Sequence, residues 1–219
     1  ISVAREFFAG DIDGDGRTDL VVTAYFGATS WSRQTANGFG PLTEISPLEF
    51  DAVLTADVNA DGRMDVVAEG VASDRLIAFL QRTDGTFEPS IPIVSLAGRP
   101  EFIELQDLDS DGVLDIVTYE NPSSGTDLMR VYYGIGAGGF EAGEMLPFPQ
   151  FGHVSGAADF ADLDGDGLQD LVSVPSLSNG NSVEVHFNRT SVGGPPNFVH
   201  GGSTPMGGAD FQSLRIEDI

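Results

Sequence analysis

Asp11-Ile12-Asp13-Gly14-Asp15-Gly16-Arg17-Thr18-Asp19 decides the fold, because the same spacing of residues returns three more times. The second copy carries Asp57, Asn59, Asp61, Gly62 and Asp65, with Asn in place of the second Asp. The third carries Asp107, Asp109, Asp111, Gly112 and Asp115, and the fourth Asp162, Asp164, Asp166, Gly167 and Asp170. First positions lie 46, 50 and 55 residues apart (57−11, 107−57, 162−107). Another 56 residues on, Asp218-Ile219 matches the first two residues of the motif (218−162), so the chain is expected to stop where a fifth loop begins. It also opens at Ile1 rather than Met, which suggests a processed or excised piece.

Carboxylates at alternate positions 1, 3 and 5 converge on one point if the backbone turns sharply, and the glycine at position 6 tolerates the positive φ of such a turn. The carbonyl of position 7 (Arg17, Arg63, Val113, Leu168) can add an oxygen, which leaves that side chain free to vary. The Asp at position 9 can close the shell, with both oxygens. A set of hard oxygens suits Ca²⁺ better than Zn²⁺ or Cu²⁺, and magnesium is the weaker alternative because it keeps several waters. About four Ca²⁺ are expected, one per loop. An EF-hand is excluded: it needs a bidentate Glu at position 12, where this chain has Val22, Ala68, Thr118 and Ser173.

Each loop is followed by a short apolar run: Leu20-Val21-Val22, Val66-Val67-Ala68, Ile116-Val117-Thr118 and Leu171-Val172-Ser173. Short length and bounding turn residues make these buried strands. Strands also precede the loops (Ala52–Thr55, Phe102–Leu105) and follow them (Leu76–Leu80, Met129–Tyr133, Val183–Phe187). Gly-rich turns ending in an aromatic come next (Asn37-Gly38-Phe39, Asp84-Gly85-Thr86-Phe87, Gly138-Gly139-Phe140), then an edge-like segment with proline, Pro89–Val94. Four strands per unit of about 50 residues is the arithmetic of a propeller blade. The predicted fold is all-β: a β-propeller of four-stranded antiparallel blades. Its repeats span approximately 1–48, 49–98, 99–150 and 151–209, and 210–219 forms the first strand of a further blade.

The bulk numbers agree with a folded chain of 219 residues, 41% hydrophobic and 9% aromatic. Its 34 acidic residues face 10 basic ones, all arginine, for a formal net charge of -24. Such a surface repels nucleic acid, whose binding depends on Lys/Arg contacts to phosphate. No apolar run is long enough to span a membrane, and no signal-like segment opens the sequence. Cysteine is absent, so bound metal is the available staple. Filling four loops with Ca²⁺ brings the formal charge from -24 to -16 (−24 + 8), an acidic excess that points to an extracellular, salty setting.

The order strand, Asp-x-Asp-x-Asp-Gly-x-x-Asp, Leu-Val-Val, strand, Gly-Gly-Phe resembles the FG-GAP/VCBS repeat family over essentially the whole chain. Clean Phe-Gly and Gly-Ala-Pro signatures are missing, so the looser VCBS type fits better than the integrin type. The resemblance implies calcium-bearing blades like those of integrin α-subunit propellers, secreted bacterial proteins and some lectins. It also implies closure of about seven blades, so four blades form part of a larger propeller or assembly.

His153, His186 and His200 are scattered, and His186, alternating with Val185 and Phe187, is expected to face outward. No Gly-x-Ser-x-Gly elbow occurs, and the clustered carboxylates are better used as calcium ligands than as glycosidase pairs, so no enzyme is expected. Trp31, Tyr132 and Tyr133 could stack on sugars, although strand aromatics are more often packed. Asn188-Arg189-Thr190 is a glycosylation sequon expected at an exposed turn. The leading functional expectation is a non-catalytic, extracellular or cell-surface calcium-binding module for adhesion or scaffolding, with a protein or glycan partner left open. The alternatives are a carbohydrate-binding lectin, an accessory module of a larger secreted enzyme, and a fibre subunit that self-associates through the end strands Val3–Phe8 and Phe211–Ile216.

Overall fold

A computed structural model describes residues 4–24, 27–70, 74–89, 91–121, 128–141, 158–174, 176–177, 180–195 and 197–206. Among them there is no helix; every regular element is a strand. The first sheet runs in the order β1 (Ala4–Gly10), β2 (Asp19–Ala24), β3 (Thr29–Ser32) and β6 (Thr43–Ser46). The short strands β4 (Gln34–Thr35) and β5 (Gly38–Phe39) pair with each other between β3 and β6. The second sheet is β7 (Phe50–Ala56), β8 (Asp65–Gly70), β9 (Arg75–Phe79) and β10 (Ile91–Ser95). The third is β11 (Arg99–Gln106), β12 (Asp115–Asn121), β13 (Leu128–Gly134) and β14 (Phe140–Glu141). In the fourth, β15 (Ala158–Ala161), β16 (Asp170–Ser173), β18 (Gly180–Asn188) and β19 (Phe198–Met206) lie in that order. A short β17 (Ser176–Leu177) pairs with the start of β18.

The strands on either side of every acidic loop pair antiparallel, and each loop joins the first strand of a sheet to the second. The pairs that close the loops are Gly10↔Asp19, Ala56↔Asp65, Gln106↔Asp115 and Ala161↔Asp170. The ninth motif residue is therefore the first residue of the second strand in every sheet. The second strands of sheets two to four are buried on both faces, from Asp65 to Glu69, Asp115 to Glu120 and Asp170 to Ser173. That is why their sequences read as continuous apolar runs instead of alternating ones. Pro92 sits on β10, an edge strand, where its missing N–H costs no ladder bond.

The chain divides into two compact units, residues 1–96 with 134–140 and residues 97–133 with 141–219. In the first, Ile12, Val21, Trp31, Phe50, Val53, Val66, Ala68 and Phe79 form one core, with Phe50 and Phe79 edge to face at 5.6 Å. In the second, Leu108, Val117, Tyr119, Met129, Val131, Phe160, Leu171 and Phe198 do the same. Ile12 and Leu108 are the second residues of their acidic loops, so each loop plugs its own apolar side chain into the core it shares with the following sheet. Val58 at the same loop position is buried, while Leu163 in the fourth loop is 42% exposed. The end-strand segment Phe211–Ile216, residues 210–219 as a further strand, and His153 lie outside the described residues.

Candidate metal centres

One hydrogen-bond pattern builds all four loops. The first Asp is the hub: Asp11 Oδ1 accepts the Asp15 N–H at 3.0 Å and Oδ2 the Gly16 N–H at 2.8 Å. Asp57 accepts from Asp61 (3.0 Å) and Gly62 (2.7 Å), Asp107 from Asp111 (3.1 Å) and Gly112 (3.0 Å), and Asp162 from Asp166 (3.1 Å) and Gly167 (3.0 Å). The fifth residue then accepts the N–H of the seventh, as in Arg17 N–H to Asp15 Oδ1 at 3.0 Å and Val113 N–H to Asp111 Oδ1 at 2.8 Å. These bonds need left-handed backbone at position 6, and Gly16, Gly62, Gly112 and Gly167 have φ of 83°, 84°, 87° and 90°.

Position 4 makes the same demand, which the spacing argument did not single out. Gly14 and Gly165 meet it without cost at φ 72° and 79°, whereas Ala60 and Ser110 are held at φ 57°.

The turn brings acceptor oxygens together. One carboxylate oxygen from each of Asp11, Asp13 and Asp15 lies within 4.8 Å of the others, as do those of Asp107, Asp109 and Asp115, and of Asp162, Asp164 and Asp166. In the second loop Asn59 Oδ1 replaces a carboxylate oxygen and accepts the Asp61 N–H at 3.0 Å. Desolvation first, then repulsion from Asp19 and Asp15, pushes the Asp13 carboxyl above its ordinary range against the pull of Arg33. Desolvation with Asp111 and Asp107 nearby raises Asp109 likewise. The clusters draw guanidinium groups: Arg33 pairs with Asp13 and, at 3.0 Å, with Asp15, while Arg189 pairs with Asp164 and, at 2.6 Å, with Asp166. Converging hard oxygens that already attract a cation fit Ca²⁺, with positions 1, 3 and 5 in the first and fourth loops, and 1, 3 and 9 in the third, as the side chains that would hold it.

The ninth residue does more than stand near the cluster. Asp19, Asp65 and Asp170 are fully buried and Asp115 nearly so. Their Oδ2 atoms accept the N–H of position 2: Ile12 at 3.0 Å, Val58 at 3.3 Å, Leu108 at 3.0 Å and Leu163 at 2.9 Å. In three sheets Oδ1 accepts an N–H from the end of the third strand or two residues past it, Gln34 at 2.7 Å, Gln81 at 2.8 Å and Asn188 at 2.8 Å. The ninth Asp thus ties its loop to two strands whether or not it also ligates. Burial pushes Asp65 up to about 6, helped by Asp61 and Asp57 and opposed by the Gln81 and Val58 amides.

Position 7 also carries more than a carbonyl. Arg17 Nε donates to Gln34 O at 3.1 Å and Arg63 Nε to Gln81 O at 2.9 Å, while their terminal nitrogens pair with Asp15 and Asp61. In Val113 and Leu168 that link is absent by residue type.

The same strand end latches neighbouring sheets. Gln81 Nε2 donates to Ile12 O at 3.0 Å, and Asn188 Nδ2 donates to Leu108 O at 2.9 Å. Each amide reaches from one sheet to the loop of the sheet before it. This corrects the reading of Asn188 as a glycosylation site. Asn188 has no exposure, its Nδ2 is committed to Leu108, and its Oδ1 accepts the Thr190 N–H at 2.9 Å and the Thr190 hydroxyl at 2.5 Å. The threonine that makes the sequon is there to orient a buried latch.

His186 corrects a second expectation: it is 4% exposed, not outward-facing, because its neighbour across the ladder is the core residue Leu171. Trp31 and Tyr132 are buried, and Tyr133 packs against the core of the second unit. Tyr132 donates its hydroxyl to buried Glu120 at 2.8 Å. None of the three presents an open face for a sugar.

Sheets of this kind, each with an acidic loop between its first two strands, define a β-propeller repeat protein. The family model described as FG-GAP-like repeat matches residues 11–68, 57–118 and 107–173, and the chain belongs to that family. A crystal structure titled "BBS1N in complex with ARL6DN, soaked with lead" is similar over 95% of this chain and 68% of that one, with a TM-score of 0.50 and 13% identity, a likeness of fold alone. No curated protein matches.

Proposed function

We propose that this chain is a non-catalytic, extracellular repeat module that binds about four Ca²⁺ and serves as a scaffold or adhesion surface. The observation that carries the reading is the recurrence of the loop: in all four sheets the first Asp accepts the N–H groups of the fifth and sixth residues, and the ninth Asp accepts that of the second. The repetition assigns the ion a role common to all sheets, which is pinning. A catalytic centre is expected at one place, built from residues the other repeats lack.

The ion's contribution is to neutralise carboxylates that the fold holds together at a cost. The chain's own residues do the rest. The ninth Asp ties the loop to its strands, the second residue fills the core, and the Gln81 and Asn188 amides hold the loop carbonyl from the next sheet. Tightening the first or the third loop therefore tightens the junction between two sheets. The chain's charge of -24 agrees with an extracellular, salty setting. The packed state of Trp31, Tyr132 and Tyr133 weighs against the lectin alternative.

Thermal melting tests this. Transfer from excess Ca²⁺ to excess EGTA is expected to lower Tm by many degrees, with full recovery when Ca²⁺ is restored. An unchanged melting curve refutes the stabilising role.

A further inference from the structure

The fourth sheet holds a second group of metal-type ligands, chemically unlike the loops. Glu184 and His186 are two residues apart on β18 and so project from one face. His200 on β19 is the cross-strand partner of His186. The register passes from Val185↔Gly202 to His186↔His200, which leaves Gly201 as an extra residue, a bulge that re-aims the strand. A side chain at 201 would strike the Phe187 ring, so the bulge is a glycine by necessity. The two imidazole rings stand 5.2 Å apart at 64°. One ligand atom from each of Glu184, His186 and His200 lies within 4.8 Å of the other two. Ser182 donates its hydroxyl to Glu184 Oε1 at 3.2 Å and steadies that carboxylate.

The repeats themselves show that the fold does not ask for this group. The register places Ser32, Phe79 and Tyr132 where His186 stands, each opposite the residue that follows the ninth Asp. Ser30, Ile77 and Arg130 take the place of Glu184. Three sheets fill the position with a small or large uncharged side chain, and one buries an imidazole there.

We propose that Glu184, His186 and His200 form a binding site for a divalent transition-metal ion of the zinc class. Imidazole nitrogen selects Zn²⁺, Cu²⁺ or Ni²⁺ over Ca²⁺, so the site and the oxygen-only loops divide the two kinds of ion between them. Three protein ligands leave a fourth position for water or an outside ligand. Exposed His200 gives the ion access, while buried His186 fixes where it rests.

The test is zinc titration of the intact chain in excess Ca²⁺, read by calorimetry, with Co²⁺ absorption reporting the ligand field. The expected result is one Zn²⁺ per chain, bound on the order of tenfold or more weakly in H200A and in E184Q. H200A alters an exposed side chain, and its melting curve in Ca²⁺ alone is expected to match wild type, so its loss of zinc binding is not a folding defect. Zinc should raise the Tm of wild type and leave that of H200A unmoved. No zinc uptake in excess Ca²⁺, wild-type affinity in H200A, or loss of binding in H153A instead would overturn the assignment.

Discussion

Replacing Asn188 by alanine separates a buried latch from a surface sequon. Three side-chain bonds vanish: Nδ2–H to Leu108 O at 2.9 Å, and Oδ1 from the Thr190 N–H at 2.9 Å and the Thr190 hydroxyl at 2.5 Å. The backbone bond from Asn188 N–H to Asp170 Oδ1 survives, because alanine keeps its amide. The Thr190 hydroxyl can turn, and it still accepts the Asn197 N–H at 2.9 Å. Leu108 O and the Thr190 N–H are left buried without those partners, at about 1–3 kcal/mol each. Water entering the vacated space recovers part, so the net cost is set at about 3 kcal/mol. Gln81→Ala is the comparison. It removes only the bond to Ile12 O, and about 1.5 kcal/mol is expected. Urea unfolding in excess Ca²⁺ measures both, and at a slope of about 2 kcal/mol/M the midpoint of N188A should fall by about 1.5 M. A change within about 0.5 kcal/mol, the range of ordinary surface substitutions, would refute the latch. The same burial predicts that Asn188 stays unmodified when the chain is made in a glycosylating host, which intact mass would show.

Ala60→Gly and Ser110→Gly relieve left-handed backbone at φ 57°, and each is expected to stabilise the protein by about 1 kcal/mol; destabilisation on urea unfolding would contradict the strain. A pH prediction follows from Asp65, whose folded pKa of about 6 lies above the unfolded value of about 3.9. The folded, metal-free chain therefore binds that proton more tightly than the unfolded one. The stabilisation is present at low pH and is lost as pH rises through 4 to 6, roughly 2–3 kcal/mol from this group. Asp13 and Asp109 shift in the same direction. Melting of metal-free protein should show a higher Tm at pH 5 than at pH 7, with the order reversed in excess Ca²⁺, which needs ionised ligands; an equal rise in both states would count against it.

Much of this architecture is legible in the chain because it is local. Nine-residue spacing fixes the loops, and the apolar runs from Val66, Ile116 and Leu171 mark central strands directly. Turn glycines and Pro92 place the edges. What stayed hidden depends on partners far away in sequence. Asn188 reads as a sequon because the bond that buries it goes to Leu108, 80 residues earlier. His186 alternates like an outward residue, yet β19 covers one side of it and Leu171 the other. The ninth Asp reads as a ligand from its spacing, while its bonds to Gln34, Gln81 and Asn188 show only when the third strand is paired beside it. The signal that could have found the latch is the recurrence of Gln34, Gln81 and Asn188 two residues after the one paired opposite the residue that follows the ninth Asp. Gly134 holds that place in the third repeat, so the pattern is broken where it was needed to be seen.

Calcium stoichiometry tests the central claim most directly. Equilibrium dialysis of the intact chain against buffered Ca²⁺, with bound metal counted by elemental analysis, is predicted to give about four ions per chain. Asp11→Asn, Asp57→Asn, Asp107→Asn and Asp162→Asn should each remove or weaken one of them and leave the rest in place. Each keeps the hub's shape but removes its charge and one of its two acceptor oxygens. No calcium bound, or a count unchanged in all four variants, would contradict the assignment of the loops as the sites.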